Sequence, residues 1–411
     1  MATIKPFKAI RPPKDKVSLV ASRSYEDYSK KERNARLEFN PFSFLHIINP
    51  GYKFRKSISG VKRFSLVRNR YQEFKEDGVF IQDNTPSFYI YKIKTRNDSF
   101  CGILAGVGTD DYKNNIIKKH ENTLQHREEL FKDYLKTVGF NAEPVLLTYP
   151  DKVTINDIIN KVMATVPEYE FTTTDRATHY LWKVDNTDII IQLQEEFKTT
   201  GALYIADGHH RSASSYLLAE ELKSENKSHT GKEPYNFFMS YLISESQLKI
   251  YEFNRMVKDL NGLSKEEFLI QLDERFRLEN RGEELYKPSK KHHFSMYLDG
   301  EFYSLYLRKS LYKFPDALSQ LDTQILYETI LNPILGIGDL RNNKRIEYGY
   351  GRHNTIKMKD LIDKGKFSVG FGMLPVNVNE MKNIADEHLQ MPPKSTYIEP
   401  KLRSGLVIYE F

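Results

Sequence analysis

The residues best suited to chemistry form one consecutive run, Asp207-Gly208-His209-His210-Arg211. The run lies between a short apolar stretch typical of a strand and a stretch whose apolar residues recur at helical spacing. A turn that only connects two elements commonly uses glycine or aspartate, but it has no need of two histidines and an arginine as well. We therefore interpret this run as a functional loop.

The side chains of this loop suit a bound phosphate. Gly208 allows the backbone to approach a ligand closely, and Arg211 offers a planar fork of donors. His209 and His210 can donate hydrogen bonds to phosphate oxygens or transfer a proton near neutral pH. Because a helix follows the loop, its free N–H groups and dipole would also attract an anion. The predicted phosphate contacts are Gly208, His209, His210, Arg211 and Ser212.

Two carboxylates are candidates for a role in catalysis. Asp207 could bind Mg²⁺ beside the phosphates of a nucleotide. Glu26, in the polar run 22–26, could orient a substrate hydroxyl and accept its proton. A surface acidic turn is the alternative interpretation of Glu26, since exposed carboxylates are common. The predicted catalytic residues are Glu26, Asp207, His209 and His210.

Two further segments are candidates for substrate binding. His120, Glu121 and Arg127 could surround a helix start and bind an anionic substrate or a metal, although the same segment could simply cap that helix. The run 394–396 places a lysine beside two hydroxyl groups, which suits recognition of phosphate or carboxylate. We interpret the basic run 341–345 as a solvated surface. The predicted substrate contacts are His120, Glu121, Arg127, Lys394, Ser395 and Thr396.

The elements that must position these residues follow from hydrophobic periodicity. Strands alternate with helices between residues 80 and 222, including a helix over 187–198, which predicts an α/β region with mixed strand pairing. Residues 1–52 hold short apolar runs interrupted by prolines, and the polar segment 20–27 between them is expected to be an irregular loop. Further along, we predict strands over 235–244, 248–257 and 405–411 and a helix over 315–331. Ser264 to Glu267 forms a capping box at the start of another helix.

Composition limits the class of protein. A chain of 411 residues favours two or three domains, and its formal net charge of +6 would suit small anionic ligands. The single cysteine, Cys101, excludes an intrachain disulfide. We find no signal-peptide pattern, no apolar run long enough to span a membrane and no basic recognition helix. We therefore expect a cytoplasmic protein with neither a membrane nor a nucleic acid as its partner.

The run from Tyr204 to Ser212, Tyr-Ile-Ala-Asp-Gly-His-His-Arg-Ser, resembles the signature of a family of conserved bacterial and archaeal proteins of unknown function. Other segments follow the order of that family and extend the resemblance over essentially the whole chain. Where family members commonly have Pro-Tyr-Asp, this chain has Ser24-Tyr25-Glu26. The other matching segments are residues 5–9, 20–23, 120–123, 181–182, 391–396 and 400–405.

The resemblance also implies a fold. Around its signature the family is similar to the ParB/sulfiredoxin-like fold, in which a loop at a helix start binds nucleotide phosphates. We therefore expect an α/β protein with a mixed sheet. A ParB/sulfiredoxin-like domain would cover residues 1–245 and a second α+β region residues 246–411, with a tail that could fold back on the first domain. Sulfiredoxin chemistry is not expected, because His209 occupies the place of its nucleophilic cysteine.

The resemblance implies an activity in the same way. The closest characterised activity is that of free-serine kinases, which use ADP or ATP. This implies a nucleotide-dependent kinase that uses Mg²⁺ and acts on a small hydroxylated metabolite, with free serine among the candidates. Two alternatives stay open. The chain could be a non-enzymatic, ParB-like nucleotide-binding regulator, or a phosphatase of phosphorylated metabolites that uses the same loop.

Overall fold

A computed structural model describes residues 1–351 and 354–411 of the chain. The strands are β1 Ile4–Lys5, β2 Ile10–Arg11, β3 Ile81–Gln82, β4 Phe88–Lys94, β5 Ser99–Gly108, β6 Ile117–Lys118, β7 Phe140–Asn141, β8 Val145–Tyr149, β9 Tyr169–Thr172, β10 Thr178–Val184, β11 Leu203–Asp207, β12 Phe237–Ser244, β13 Lys249–Tyr251, β14 Phe253–Val257, β15 Phe276–Gly282, β16 His293–Leu298, β17 Glu301–Leu307, β18 Ile346–Tyr350, β19 Val369–Met373, β20 Tyr397–Glu399 and β21 Tyr409–Glu410. The helices are α1 Val17–Val20, α2 Lys30–Phe39, α3 Leu45–Ile48, α4 Gly60–Glu76, α5 Thr109–Lys113, α6 Gln125–Val138, α7 Val153–Met163, α8 Thr187–Lys198, α9 His209–Glu225, α10 Lys265–Asp273, α11 Asp322–Leu326, α12 Asn354–Asp363 and α13 Val378–Asp386.

The chain divides into two compact units. Unit 1 comprises Met1–Lys118, Thr123–Leu248 and Pro400–Phe411, and unit 2 comprises Lys119–Asn122 and Lys249–Glu399. No helix in the described part of the chain has the length and apolar character needed to cross a membrane.

Unit 1 is built on a nine-stranded mixed sheet. Its strands lie in the order β6-β11-β8-β12-β5-β4-β10-β9, and β1 pairs with β5. The pairs β11–β6 and β12–β8 are parallel, whereas the neighbouring pairs, such as β11–β8 and β12–β5, are antiparallel. The sheet buries Ile103, Leu147 and Ile205 together with Ile155 of α7 and Leu193 of α8. The predicted α/β class with mixed pairing is therefore confirmed.

Unit 2 is built on a separate, antiparallel sheet. Its strands lie in the order β15-β17-β16-β19-β14-β18. The core on one face of this sheet includes Phe268 and Leu272 of α10 and Leu326 of α11, together with Phe294 and Phe371 of the strands. Unit 2 thus combines helices with an antiparallel sheet, and the boundary of a second α+β region at residue 246 stays a prediction.

The predicted irregular segment 20–27 includes the end of α1 and one turn of 3-10 helix over Tyr25–Asp27, and the helices on either side of it were not predicted. Residues 17–48 contain α1, α2 and α3, and α2 begins with a capping box between Ser29 and Glu32. The helix escaped detection because Leu37 is its one buried residue, so it has almost no hydrophobic periodicity. The capping box was the available signal, since a serine followed three residues later by glutamate is typical of a helix start.

Three predicted elements in the rest of the chain need correction. The helix expected over 315–331 begins only at Asp322, because the Ser319 N–H donates to Asp316 and forms a turn before it. The chain continues from α11 as a π-helix over Tyr327–Leu331. The strand expected over 248–257 is divided into β13 and β14, which pair with different partners. In the tail, only Tyr409–Glu410 of residues 405–411 is a strand.

Candidate active site

The sequence run 207–211 is the junction of a strand and a helix. β11 ends at Asp207, Gly208 has a φ of 102°, and α9 begins at His209. The predicted loop is therefore wrong in one respect, because His209, His210 and Arg211 lie in the first turn of the helix. Helical periodicity did not reveal this, since the apolar residues that define it begin only after this polar turn. The glycine is needed here because residues with a side chain rarely adopt such a φ.

Arg211 is held in place by the chain on both sides of the junction. Its Nη2 lies 3.1 Å from Asp207 Oδ2, and its Nη1 donates to the carbonyl oxygen of Pro144 at 2.5 Å. The Glu143 carboxylate lies 3.9 Å from the same guanidinium. A Cβ atom at position 208 would lie only 3.0 Å from Arg211 Nε. The absence of a side chain on Gly208 thus makes room for the arginine.

Asp207 is a carboxylate surrounded by positive charge. Lys401 Nζ lies 3.7 Å from its Oδ2, the same atom that contacts Arg211. Burial by itself would raise the pKa of Asp207, but the charges of Arg211, Lys401 and His209 outweigh burial and lower this pKa below its ordinary value. Asp207 is therefore ionised at neutral pH. Its side chain keeps 45% of its surface exposed, so a ligand can reach it.

A second carboxylate, Asp27, belongs to the same electrostatic cluster. Burial raises the pKa of Asp27, the charges of Lys401 and Arg23 oppose this rise, and the carboxylates of Glu143 and Asp207 add to it. The neighbouring Glu26, which the sequence analysis selected, is exposed instead. Asp27 was missed because nothing in the sequence indicates which of two adjacent acidic residues in a turn faces the rest of the protein.

The remaining residues of the first turns of α9 differ in accessibility. His209 is buried, whereas His210 is half-buried, with its ring centroid 6.5 Å from that of Phe131. The buried Ser212 donates from its hydroxyl to the carbonyl oxygen of Gly208 at 3.2 Å. Its hydroxyl proton is therefore engaged along the helix, and any contact between Ser212 and a phosphate stays a prediction.

The predicted substrate contacts are divided between the units. Arg127 is exposed on α6 of unit 1, whereas the other five lie in unit 2. Within unit 2, Met391 N donates a hydrogen bond of 2.9 Å to the carbonyl oxygen of the buried His120. This bond joins the segment that contains His120 and Glu121 to the segment that contains Lys394, Ser395 and Thr396. These segments are adjacent in space although some 270 residues separate them in the sequence.

Ser395 and Lys394 have internal contacts. The Ser395 hydroxyl is buried and donates to the carbonyl oxygen of Pro392 at 2.7 Å. The backbone carbonyl of Lys394 accepts from Arg255 at 3.1 Å, and its ammonium group lies 5.6 Å from the ring centroid of Phe253. These contacts order the segment within unit 2, while Thr396 is half-buried. Their role in substrate binding stays a prediction.

A profile of the family described as "Protein of unknown function (DUF1015)" matches residues 4–324. This match confirms the resemblance to an uncharacterised family, whereas the likeness to the ParB/sulfiredoxin-like fold stays a prediction. A search of curated proteins returned no match.

Several solved structures resemble this chain at low identity and low TM-score. A free serine kinase in complex with AMP is 15% identical with a TM-score of 0.33, and the alignment covers 73% of this chain and 88% of that chain. A variant of a free serine kinase in complex with ADP is 14% identical with a TM-score of 0.35, covering 75% and 91%. SbnI with a C-terminal truncation from Staphylococcus aureus is 13% identical with a TM-score of 0.37, covering 72% and 82%.

Proposed function

The chain belongs to the DUF1015 family, and we propose that it is a nucleotide-dependent kinase that phosphorylates a small hydroxylated metabolite. The observation that supports this most directly is the start of α9 at Gly208. This helix N-terminus lies beside Arg211, Lys401 and two carboxylates. Phosphoryl transfer depends mainly on positioning and charge stabilisation, and this cluster contains groups of both signs for that purpose.

The nucleotide phosphates would bind at the first turn of α9. The first N–H groups of a helix have no acceptor within the helix, and the glycine at the N-cap position has no side chain with which to cap them. These N–H groups and the positive end of the helix dipole attract phosphate oxygens. Arg211 and Lys401 add two cations, and His209 and His210 could donate further hydrogen bonds. ATP and ADP are both candidate donors.

Mg²⁺ fits the chemistry of the carboxylates at this site. Asp207 is ionised and partly exposed, and the negative charges of Glu143 and Asp207 raise the pKa of Asp27. Hard cations prefer such oxygen ligands. Asp207 would be the principal protein ligand. When bound, Mg²⁺ would neutralise charge on the phosphates of the nucleotide.

Asp27 is the better-placed candidate for accepting the proton of the acceptor hydroxyl. Its raised pKa makes it a stronger base than an ordinary aspartate, and it shares an electrostatic environment with Asp207. Glu26, the base predicted from the sequence, is exposed and one residue away.

The class of acceptor rests on the resemblance described above. A small metabolite with a hydroxyl group, with free serine as the first candidate, would have to present that hydroxyl between Asp27 and the first turn of α9. The predicted substrate contacts His120, Glu121, Arg127, Lys394, Ser395 and Thr396 are part of this proposal.

Incubation of the purified full chain with Mg²⁺, ATP or ADP, and a set of hydroxylated metabolites that includes serine tests the proposal. We expect one compound to be converted to its phosphate ester, detected by phosphorus NMR and mass spectrometry. Asp27→Asn should lower kcat by roughly 10²–10⁴-fold, the usual contribution of a general base, while nucleotide affinity changes little.

Glu26→Gln provides the matched control, because it removes the neighbouring negative charge and keeps the size of the side chain. It should retain kcat within roughly threefold. If Glu26→Gln is instead the variant that loses activity, the base is Glu26. If calorimetry detects nucleotide binding but no phosphate ester forms with any compound, the chain is a binding protein and the kinase proposal is wrong.

A further inference from the structure

The positive charge of the chain is concentrated in one segment. Residues 30–70 contain eleven lysine or arginine residues and two glutamates, a formal net charge of +9, whereas the whole chain carries +6. The remaining residues therefore have a net charge of −3. This segment spans α2, α3 and most of α4 in unit 1, so the excess belongs to a single helical region.

Residues 53–62, Lys-Phe-Arg-Lys-Ser-Ile-Ser-Gly-Val-Lys, contain four of these cations and no acidic residue. All four cations are exposed. Lys53 lies 3.8 Å from Glu73, and the other three form no ion pair with any residue that the structure describes. Their charges are therefore directed to solvent rather than used within unit 1.

Two large apolar side chains are exposed among these cations. Phe54 keeps 51% of its surface exposed and Val61 keeps 69%. Side chains of this kind are usually buried, and their combination with lysine and arginine within ten residues is typical of a surface that meets a partially apolar, negatively charged partner. Phe39, 80% exposed at the end of α2, is a third such residue in the basic segment.

The segment 53–62 is anchored to buried parts of unit 1. Lys56 N donates to the carbonyl oxygen of Gly51 at 3.1 Å, and Arg63 Nη2 donates to the carbonyl oxygen of Ile48 at 2.8 Å. Immediately after it, α4 buries Phe64 and Val67. The exposed side chains are therefore presented from an ordered turn and a helix start.

We propose that residues 53–62 bind peripherally to an anionic lipid surface. Lys53, Arg55, Lys56 and Lys62 would contact the headgroups, while Phe54 and Val61 enter the boundary of the acyl chains. The sequence-based expectation of no membrane partner rested on the lack of a spanning segment, and binding at the surface requires none. Val61 favours lipid over single-stranded nucleic acid, because bases stack on aromatic faces and gain nothing from an aliphatic side chain.

Sedimentation of the full chain with vesicles of phosphatidylcholine, with or without phosphatidylserine, tests this inference. We expect binding only when phosphatidylserine is present, and weaker binding at high salt. Replacement of Lys53, Arg55, Lys56 and Lys62 by glutamine should reduce the partition coefficient at least tenfold, since each cation near such a surface contributes roughly a fivefold change.

The control variant replaces four other exposed cations of unit 1 by glutamine, so that the change of net charge is identical. It should bind vesicles nearly as well as the unaltered chain. A second variant, Phe54→Ser with Val61→Ser, keeps the charge and should still lose affinity severalfold, because apolar insertion also contributes. The four cations replaced in the charge-matched control variant are Lys94, Lys161, Arg176 and Lys227.

Three outcomes would overturn the inference. The chain could fail to bind vesicles that contain phosphatidylserine, the control variant could lose as much affinity as the variant in residues 53–62, or the chain could bind a single-stranded oligonucleotide in preference to the vesicles. None of these results would bear on the proposed kinase activity, which concerns the start of α9.

Discussion

Gly208 combines two requirements that no other residue type meets. Its φ of 102° is strained for any residue with a side chain, and a Cβ atom would lie 3.0 Å from Arg211 Nε. We predict that Gly208→Ala lowers the free energy of unfolding of unit 1 by about 1–3 kcal/mol, the usual cost of such backbone strain. Urea denaturation followed by the fluorescence of Trp182, the one tryptophan of the chain, measures this change.

Gly201→Ala is a matched control for this prediction. Gly201 has a φ of 82°, and the space where its Cβ atom would lie is empty to 4 Å. Both variants carry backbone strain, but only Gly208→Ala displaces the Arg211 guanidinium. Gly208→Ala should therefore lower the free energy of unfolding by about 0.5–1 kcal/mol more than Gly201→Ala does, which is the range for one partly exposed ion pair. Equal losses for the two variants would show that Arg211 moves aside without cost.

The candidate site could be predicted from the sequence only where its residues are consecutive. Asp207 to Arg211 was recognisable from an unusual density of functional groups in one run. Asp27 and Lys401 come from opposite ends of the chain, and no spacing rule connects them to Asp207. Their contribution follows from how the chain folds, since the charge of Lys401 acts on both carboxylates.

Among the elements, α10 shows how a local signal determines a helix boundary. The Ser264 hydroxyl accepts from Glu267 N at 3.1 Å, and the Glu267 carboxylate accepts from Ser264 N at 2.8 Å. We predict that Ser264→Ala destabilises the first turn of α10 by about 1 kcal/mol, whereas Ser264→Asp, also a good N-cap residue, retains most of this stability. Faster amide hydrogen exchange in residues 265–273 of the alanine variant, with no change for aspartate, would be the expected observation. Equal exchange rates in the alanine and aspartate variants would contradict this prediction.

The elements that the sequence predicted well are those with strong local signals. α8 has the predicted bounds, and α10 begins at its predicted capping box. α7 buries Ile155, Ile159 and Val162, which recur at helical spacing. α2 and the start of α9 were not predicted, because their polar residues contribute no periodicity. The order of the strands was equally beyond prediction, since β11 pairs with β6 and β8, which are far from it in the sequence.

For the molecule as a whole, stability in acid depends on groups that bind a proton in the unfolded chain but not in the folded protein. His179 is buried in unit 1, where its ring is stacked between those of Phe171 and Tyr91. Burial, with a further contribution from the charge of Arg403, lowers the pKa of His179 to about 3, and Asp175 opposes this shift only in part. The folded protein therefore keeps this histidine neutral over a pH range in which an unfolded chain protonates it.

The sign of the resulting pH dependence follows from the two pKa values. Between the ordinary value of 6.5 and about 3, the unfolded state binds one proton more at this position, so stability falls as the pH falls. We predict that His179→Gln lowers the free energy of unfolding at neutral pH. Below pH 6.5 it should also reduce the slope of this free energy against pH by up to about 1.4 kcal/mol per pH unit. Urea denaturation at several pH values tests this, because Trp182 lies on the same strand as His179 and reports on unit 1. His126→Gln, which replaces an exposed histidine of unit 1, is the control for loss of an imidazole elsewhere in the unit. If His179→Gln preserves the slope, the acid sensitivity of unit 1 arises from other groups.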